Sequence, residues 1–216
     1  MVENVEYMRE WIGYHLNLGI DKFFVYDNSN SIKSEMVKYD YLVTAETTKI
    51  GLNLACYNLT KDQIKKKWEE VWLEFYDHIV YVVWEPKDEK GEIIYGQMKA
   101  LEDYVFYFKH VAKFTAYIDP DEFIFSPDNL DLEQYLRKKE SQGVSTLRIK
   151  SRHFPHRVCG PNKRVTDMVH YYPHTLEGNV RLWAPKIICV TKSFKPWGSI
   201  HDGVTTSGKR EVPPVN

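Results

Sequence analysis

Asp119 and Asp121 stand two residues apart, directly after the apolar run Phe114 to Ile118 and just before a second one, Glu122 to Phe125. On extended backbone that spacing sends both carboxylates to one side. Two carboxylates at a strand end make a hard-oxygen site suited to Mg²⁺ or Mn²⁺, with positions left for phosphate oxygens. Pro120 removes a backbone donor and fixes φ, so the chain leaves the sheet at a defined angle. A plain Asp-Pro-Asp turn accounts for the same letters, and both readings stand at this point. Gln97 and Lys99 open a helical pattern, and a helix N-terminus attracts anions. Asp27 closes an apolar run and begins the polar stretch Asp27 to Asn30. Such a loop, at the carboxyl end of a strand, is where open α/β sheets bind ligands. Its ordinary alternative is a turn acid or a cap for residues 33–39.

The elements that must position these residues follow from periodicity. Tyr7, Trp11, Tyr14 and Leu18 fall at helical spacing, so residues 5–18 read as a helix stopped by Gly19. Residues 22–26 read as a strand. Thr60 to Gln63 has the form of a capping box, followed by Ile64, Trp68, Val71, Trp72 and Phe75 on one face, which predicts a helix over 61–76. The two tryptophans belong to a core stripe, and Lys65, Lys66 and Lys67 to a solvated face. A strand is expected over 79–84, a helix over 95–110 with Met98, Leu101, Val105 and Phe108 inward, and then the strand that carries Asp119. Beyond it come a helix over 130–139 capped by Asp128 or Asn129, a strand over 144–149, and strands over 180–182 and 186–191. Helix alternating with strand implies right-handed crossovers and a largely parallel sheet. Residues 151–164 are basic and aperiodic and read as a long loop, the kind that usually carries function.

Composition sets the outer limits. A chain of 216 residues with 43% hydrophobic residues can bury one sizeable core. A net charge of −1 gives no electrostatic case for nucleic acid or for an anionic membrane. No apolar run is long enough for a transmembrane helix, and the acidic N-terminal residues lack a signal-peptide core. Cys56, Cys159 and Cys189 are widely spaced and odd in number, which reads as reduced thiols of a cytoplasmic protein. Residues 207–216 contain Gly and Pro and read as a linker to a further domain of a longer polypeptide, leaving 1–206 as one domain.

Two stretches resemble a known family. Asp119-Pro-Asp-Glu-Phe-Ile124 is similar to the D-x-D-E-F-I segment of glycosyltransferases with the GT-A fold, in the family-2-like and family-92-like groups. Tyr7, Glu10, Trp11, Ile12, Tyr14, His15, Leu16, Leu18 and Gly19 resemble the same group's Y-x-x-E-W-I-x-Y-H-L-x-L-G pattern, and the likeness runs on to Asn28. The sequence also resembles glycosyltransferase domains encoded by chlorella viruses. The resemblance implies an α/β GT-A nucleotide-diphospho-sugar transferase fold and transfer of a hexose or deoxyhexose from a UDP-sugar to a carbohydrate acceptor. It also implies a Mn²⁺ cofactor, with Mg²⁺ as the alternative. Asp121 would be the direct metal ligand, Asp119 a ligand through water or a ribose contact, and His201 a third ligand. Asp27 would lie near the base, with Gln97, Lys99, Asp119 and Lys186 on the nucleotide-sugar and Lys186 paired with phosphate. Before the first helix here, the family's usual first strand and its Lys-Asn-Glu-like turn are either missing or replaced.

The resemblance further implies that the acceptor side is built after residue 150, where Arg157 stands in the basic loop; Trp197, on the same side, either stacks on a sugar face or packs under its own loop. If transfer inverts the anomeric carbon, a carboxylate on that side must take the acceptor proton. Of Asp167, Glu177, Asp202 and Glu211, the expected base is Asp167, with Asp202 second. Glu177 reads as an exposed turn and Glu211 as linker. A non-catalytic sugar- or nucleotide-binding module is the competing class, although retention of both acids argues for catalysis. A nucleotidyl- or phosphotransferase would call for a G-x-x-x-x-G-K loop, which the sequence lacks.

Overall fold

A computed structural model of the chain describes residues 5–28, 36–37, 59–94, 96–120, 122–125, 131–149, 164, 166, 185–196 and 204–212. Helix α1, Val5–Asn17, buries Met8, Trp11, Ile12 and His15; of the expected stripe only Trp11 is buried, with Tyr7, Tyr14 and Leu18 half-buried beside it. Gly19, with φ 94°, ends it, and the Ile20 amide donates to the His15 carbonyl at 2.9 Å. That left-handed turn is open to glycine without strain. Strand β1, Phe23–Asp27, follows with alternating burial.

Strands β2 (Met36–Val37) and β3 (Leu59–Thr60) form a short antiparallel pair. Thr60 therefore lies in a strand beside α2, Lys61–Glu74. The helix stops two residues before the expected end, and a 3₁₀ turn, Tyr76–His78, leads into β4, Ile79–Val83. β1 and β4 pair in parallel, from Phe23 opposite Ile79 to Asp27 opposite Val83. The first core lies between this pair and the two helices. It joins Met8, Trp11 and Ile12 to Phe23, Val25, Trp68, Val71 and Ile79. Met8 and Ile12 are fully enclosed, and burying each such side chain stabilises the fold by about 2 kcal/mol.

Helix α3, Gln97–Phe108, turns Ala100 and Tyr104 inward and leaves Phe106 and Tyr107 exposed. It leads to β5, Phe114–Tyr117. Helix α4, Leu132–Ser141, is capped by Asp131, whose carboxylate accepts from the Gln134 amide at 2.9 Å; Asp128 and Asn129, the expected caps, fall outside the described residues. Strands β6 (Val144–Ile149) and β7 (Lys186–Val190) complete the larger sheet with β10, Lys209–Glu211, in the order β10-β6-β7-β5. All five β7 residues are buried. Ile188 packs toward Leu136, Val144 and Leu147, whereas Ile187 and Cys189 pack toward Phe194 and Tyr117 on the other face. Strands β8 (Phe194–Lys195) and β9 (Val204–Thr205) form a small antiparallel pair.

Two expectations are corrected here. β7 runs antiparallel to both β5 and β6, so the larger sheet is mixed rather than largely parallel. The alternation of helix and strand records order along the chain but not partners, and β7 reaches its neighbours from far downstream. Within residues 207–216, read as a linker, Lys209–Glu211 form a strand parallel to β6, while 213–216 lie outside the described residues. Its charged letters carry no apolar pattern. Pairing comes from the free edge of β6, with the Lys209 amide donating to the Gly143 carbonyl at 2.7 Å and Glu211 ion-paired to Lys139. Among the described residues no helix is long and apolar enough to cross a membrane.

Candidate active site

β5 is fixed before it delivers its acid. The Tyr104 hydroxyl, Thr115 Oγ1 and Thr191 Oγ1 form a chain of hydrogen bonds of 2.8 and 2.6 Å, and the Thr191 amide donates to the Lys113 carbonyl at 2.9 Å. After Tyr117 the chain leaves the sheet and turns. The Glu122 amide donates to the Asp119 carbonyl at 3.0 Å, and the Asp119 amide donates back to Glu122 Oε2 at 2.9 Å. Asp119 and Glu122 are therefore joined by a reciprocal pair of hydrogen bonds. Asp121 itself lies outside the described residues. The turn serves chemistry, because it carries the Asp119 carboxylate to Lys186.

Lys186, the first residue of β7, is buried at 6% exposure. Its Nζ lies 2.5 Å from Asp119 Oδ2 and 3.2 Å from Glu122 Oε2. Burial pulls the lysine pKa down, but its bonds to Asp119 and the charge of Glu122 outweigh this and hold it above the usual lysine range. Burial also raises the Glu122 carboxyl, against the opposing pull of the Asp119 amide and Lys186. The lysine is thus a fixed cation, and the Asp119 side chain keeps 41% of its surface open to a ligand.

Gln97 reaches the other oxygen of the same acid, with Nε2 3.5 Å from Asp119 Oδ1. It is the first residue of α3, and Gly96 sets its position with φ 60°. Trp84 Nε1 donates to the Gly96 carbonyl at 3.2 Å, and a Cβ on Gly96 would come within 2.2 Å of Pro86 Cγ. The strained backbone conformation and the close proline both require glycine there.

Asp27 is buried at the end of β1 and accepts a hydrogen bond from the Tyr81 hydroxyl. Its carbonyl accepts from the Trp84 amide at 2.8 Å. Through Trp84 and Gly96, the end of β1 is therefore tied to the start of α3 and to Asp119. Lys99 points elsewhere, donating to the Lys87 carbonyl at 3.0 Å. The structure thus brings Gln97, Asp119 and Lys186 together, links Asp27 to them through backbone, and leaves Lys99 outside the cluster. Arg157, Asp167, Trp197, His201 and Asp202 lie outside the described residues. Among the described residues, no three His, Cys, Asp or Glu converge as a metal-binding group.

Periodicity alone did not single out four residues as parts of the site: Glu122, Trp11, Tyr14 and His15. Trp11 Nε1 donates to the Glu122 carbonyl and the Tyr14 hydroxyl to the Ile124 carbonyl, both at 2.7 Å. His15 Nδ1 meets the Trp11 carbonyl at 2.8 Å, so Nδ1 carries the proton and Nε2 accepts from the Ile124 amide at 3.2 Å. Burial lowers the His15 pKa to about 4, against the raising effect of the Trp11 carbonyl, so the ring is neutral near pH 7. The available signal was chemical: residues 11, 14 and 15 share one helix face, and each carries a ring with hydrogen-bonding atoms at its edge.

The stretch around Tyr7 to Gly19 and the stretch from Asp119 to Ile124 are joined by hydrogen bonds into one unit. A model of glycosyltransferase family 92 matches residues 1–191. The chain belongs to glycosyltransferase family 92. It is accordingly a glycosyltransferase, with a sugar donor and an acceptor as substrates. The matched span runs from α1 through the whole of β7, so it includes Lys186 and every described residue of the acid cluster. Trp197, His201 and Asp202 lie beyond it. No curated protein and no solved structure matches the chain.

Proposed function

We propose that this family-92 glycosyltransferase has a GT-A-type fold and moves a hexose or deoxyhexose from a UDP-sugar to a hydroxyl of a glycan or glycoconjugate, inverting the anomeric carbon. The observation that supports this is the cluster at the end of β5, where a buried Lys186 sits against Asp119 and Glu122 beside the N-terminus of α3. Asp119 and Glu122 against Lys186 leave a formal charge of −1, and Asp121 in the same turn makes it −2. That balance fits a divalent cation carried with a diphosphate. Asp119, Asp121 and His201 would hold Mn²⁺, or Mg²⁺, which supplies charge stabilisation to the departing diphosphate. Lys186 keeps its proton throughout and gives the donor phosphates a fixed positive partner. Gln97 orients the Asp119 carboxylate, and Asp27 marks the nucleoside end. Asp167, or failing that Asp202, would take the acceptor proton from the opposite side.

Incubation with UDP-sugars and Mn²⁺, followed by measurement of free UDP and of product configuration, tests this reading. Sugar-dependent UDP release is expected, with Asp119→Asn lowering turnover by about 100-fold, the usual scale for losing one charge-stabilising group. Absence of release with every UDP-hexose would overturn the donor assignment. A retained anomeric configuration would remove Asp167 from the mechanism.

A further inference from the structure

We propose that α1 is a positioning element for the donor side of the site. In this role Trp11, Tyr14 and His15 set the backbone of residues 122–124, so that the Glu122 carboxylate holds Asp119 and Lys186 in place. The consequence for donor binding rests on the function proposed above; the hydrogen-bonded geometry does not. Three polar atoms, at positions i, i+3 and i+4 of one helix, end on three backbone atoms: the Glu122 oxygen, the Ile124 oxygen and the Ile124 nitrogen. Apolar residues could fill the same space, but they would leave those backbone groups without partners in a buried setting. Phe123 completes the grip, stacked on His15 with ring centres 5.8 Å apart and edge-on to Tyr14 at 5.2 Å. From Glu122 the constraint passes on through its carboxylate, which accepts from the Asp119 amide and meets Lys186. Trp11, Tyr14 and His15 touch no part of the donor in this scheme and act only through Glu122.

The same helix provides its own control. Glu10 Oε1 accepts from the Thr166 amide at 2.9 Å and from the Thr166 hydroxyl at 2.7 Å, which ties α1 to a different segment.

Calorimetry of UDP binding with Mn²⁺, together with amide hydrogen exchange, separates positioning from packing. Asparagine at residue 15 can still donate to the Trp11 carbonyl but stops short of Ile124, whereas glutamine reaches as far as the ring. His15→Asn should weaken Mn²⁺-dependent UDP binding about 10-fold, the scale of one lost buried hydrogen bond, and expose the Ile124 amide to exchange. His15→Gln should restore binding to within about 3-fold of wild type. Glu10→Ala should release the Thr166 amide and leave UDP binding within about 2-fold. If His15→Asn does not fold, Tyr14→Phe replaces it, with an expected weakening of about 5-fold. Equal weakening by Asn and Gln at residue 15, or an equal effect of Glu10→Ala, would reduce α1 to packing and overturn the proposal. So would unchanged exchange at Ile124 in His15→Asn while wild-type binding is intact. A wild-type protein that binds no UDP with Mn²⁺ would instead overturn the function proposed above.

Discussion

The turn from Asp119 to Phe125 has two sides held by different physics. Toward α1 it meets Trp11, Tyr14 and His15 through neutral hydrogen bonds. Toward the ligand it meets Lys186 and Gln97, through charge and with Asp119 partly open to water. Neutral bonds in a dry setting have one good geometry and little response to salt. A charged cluster with one exposed acid can exchange partners when an anion or cation arrives, because solvent and ligand compete for it. The comparison separates the part of the segment that must stay still from the part that must respond.

The largest effect expected from this division is a pH dependence. Burial lowers the folded pKa of His15 to about 4 from its ordinary 6.5, so the unfolded chain binds more protons between those limits. Its contribution is therefore complete above about pH 6.5 and is lost as pH falls toward 4, by on the order of 3 kcal/mol. Urea unfolding at pH 7 and pH 4.5 should show the loss, and His15→Gln should flatten it. An unchanged slope in that variant would place the titration elsewhere. Next in size is Lys186→Met, which leaves two carboxylates facing each other without their cation. Because Asp119 is partly exposed, a loss of about 2 kcal/mol is expected rather than the full value for a sealed pair. UDP binding should fall with it, and the loss of stability should persist at high salt because the lysine is buried. Tyr14→Phe removes one hydroxyl and should cost about 1 kcal/mol in the same unfolding experiment. The smallest effect is expected for Arg9→Ala, also on α1. Its bond to Glu74 joins two exposed side chains, so the change should stay below about 0.5 kcal/mol and vanish in salt. A larger value there would mean that the whole helix, rather than one face of it, is sensitive.

The sequence was most informative where local pattern and tertiary burial agree. Residues 144–149 form β6 at the expected limits, and α1 ends at Asn17, one residue short of the expected end. Each has a glycine at one border, Gly143 before β6 and Gly19 after α1. The site was legible in part: Asp119 and Lys186 both stand at the borders of apolar runs, and the resemblance marks Lys186 although the side chain is buried. Partners across long separations were not legible. Nothing in the letters around Lys186 says that β7 lies antiparallel to β5, and yet that pairing brings Lys186 to Asp119. Glu122 does not stand out in the sequence because a single acid beside two others reads as more of the same charge. Its burial, which sets it apart, is a property of the folded chain.

Strand β10 has a consequence for handling the protein. Its residues Lys209, Arg210 and Glu211 cover the backbone edge of β6 with charged letters, a common guard against stray strand pairing. A preparation trimmed at residue 206 would keep every described residue of the acid cluster and still expose that edge. Such a preparation should self-associate with concentration, visible as growing particle size in light scattering, where the chain carried through residue 212 stays discrete.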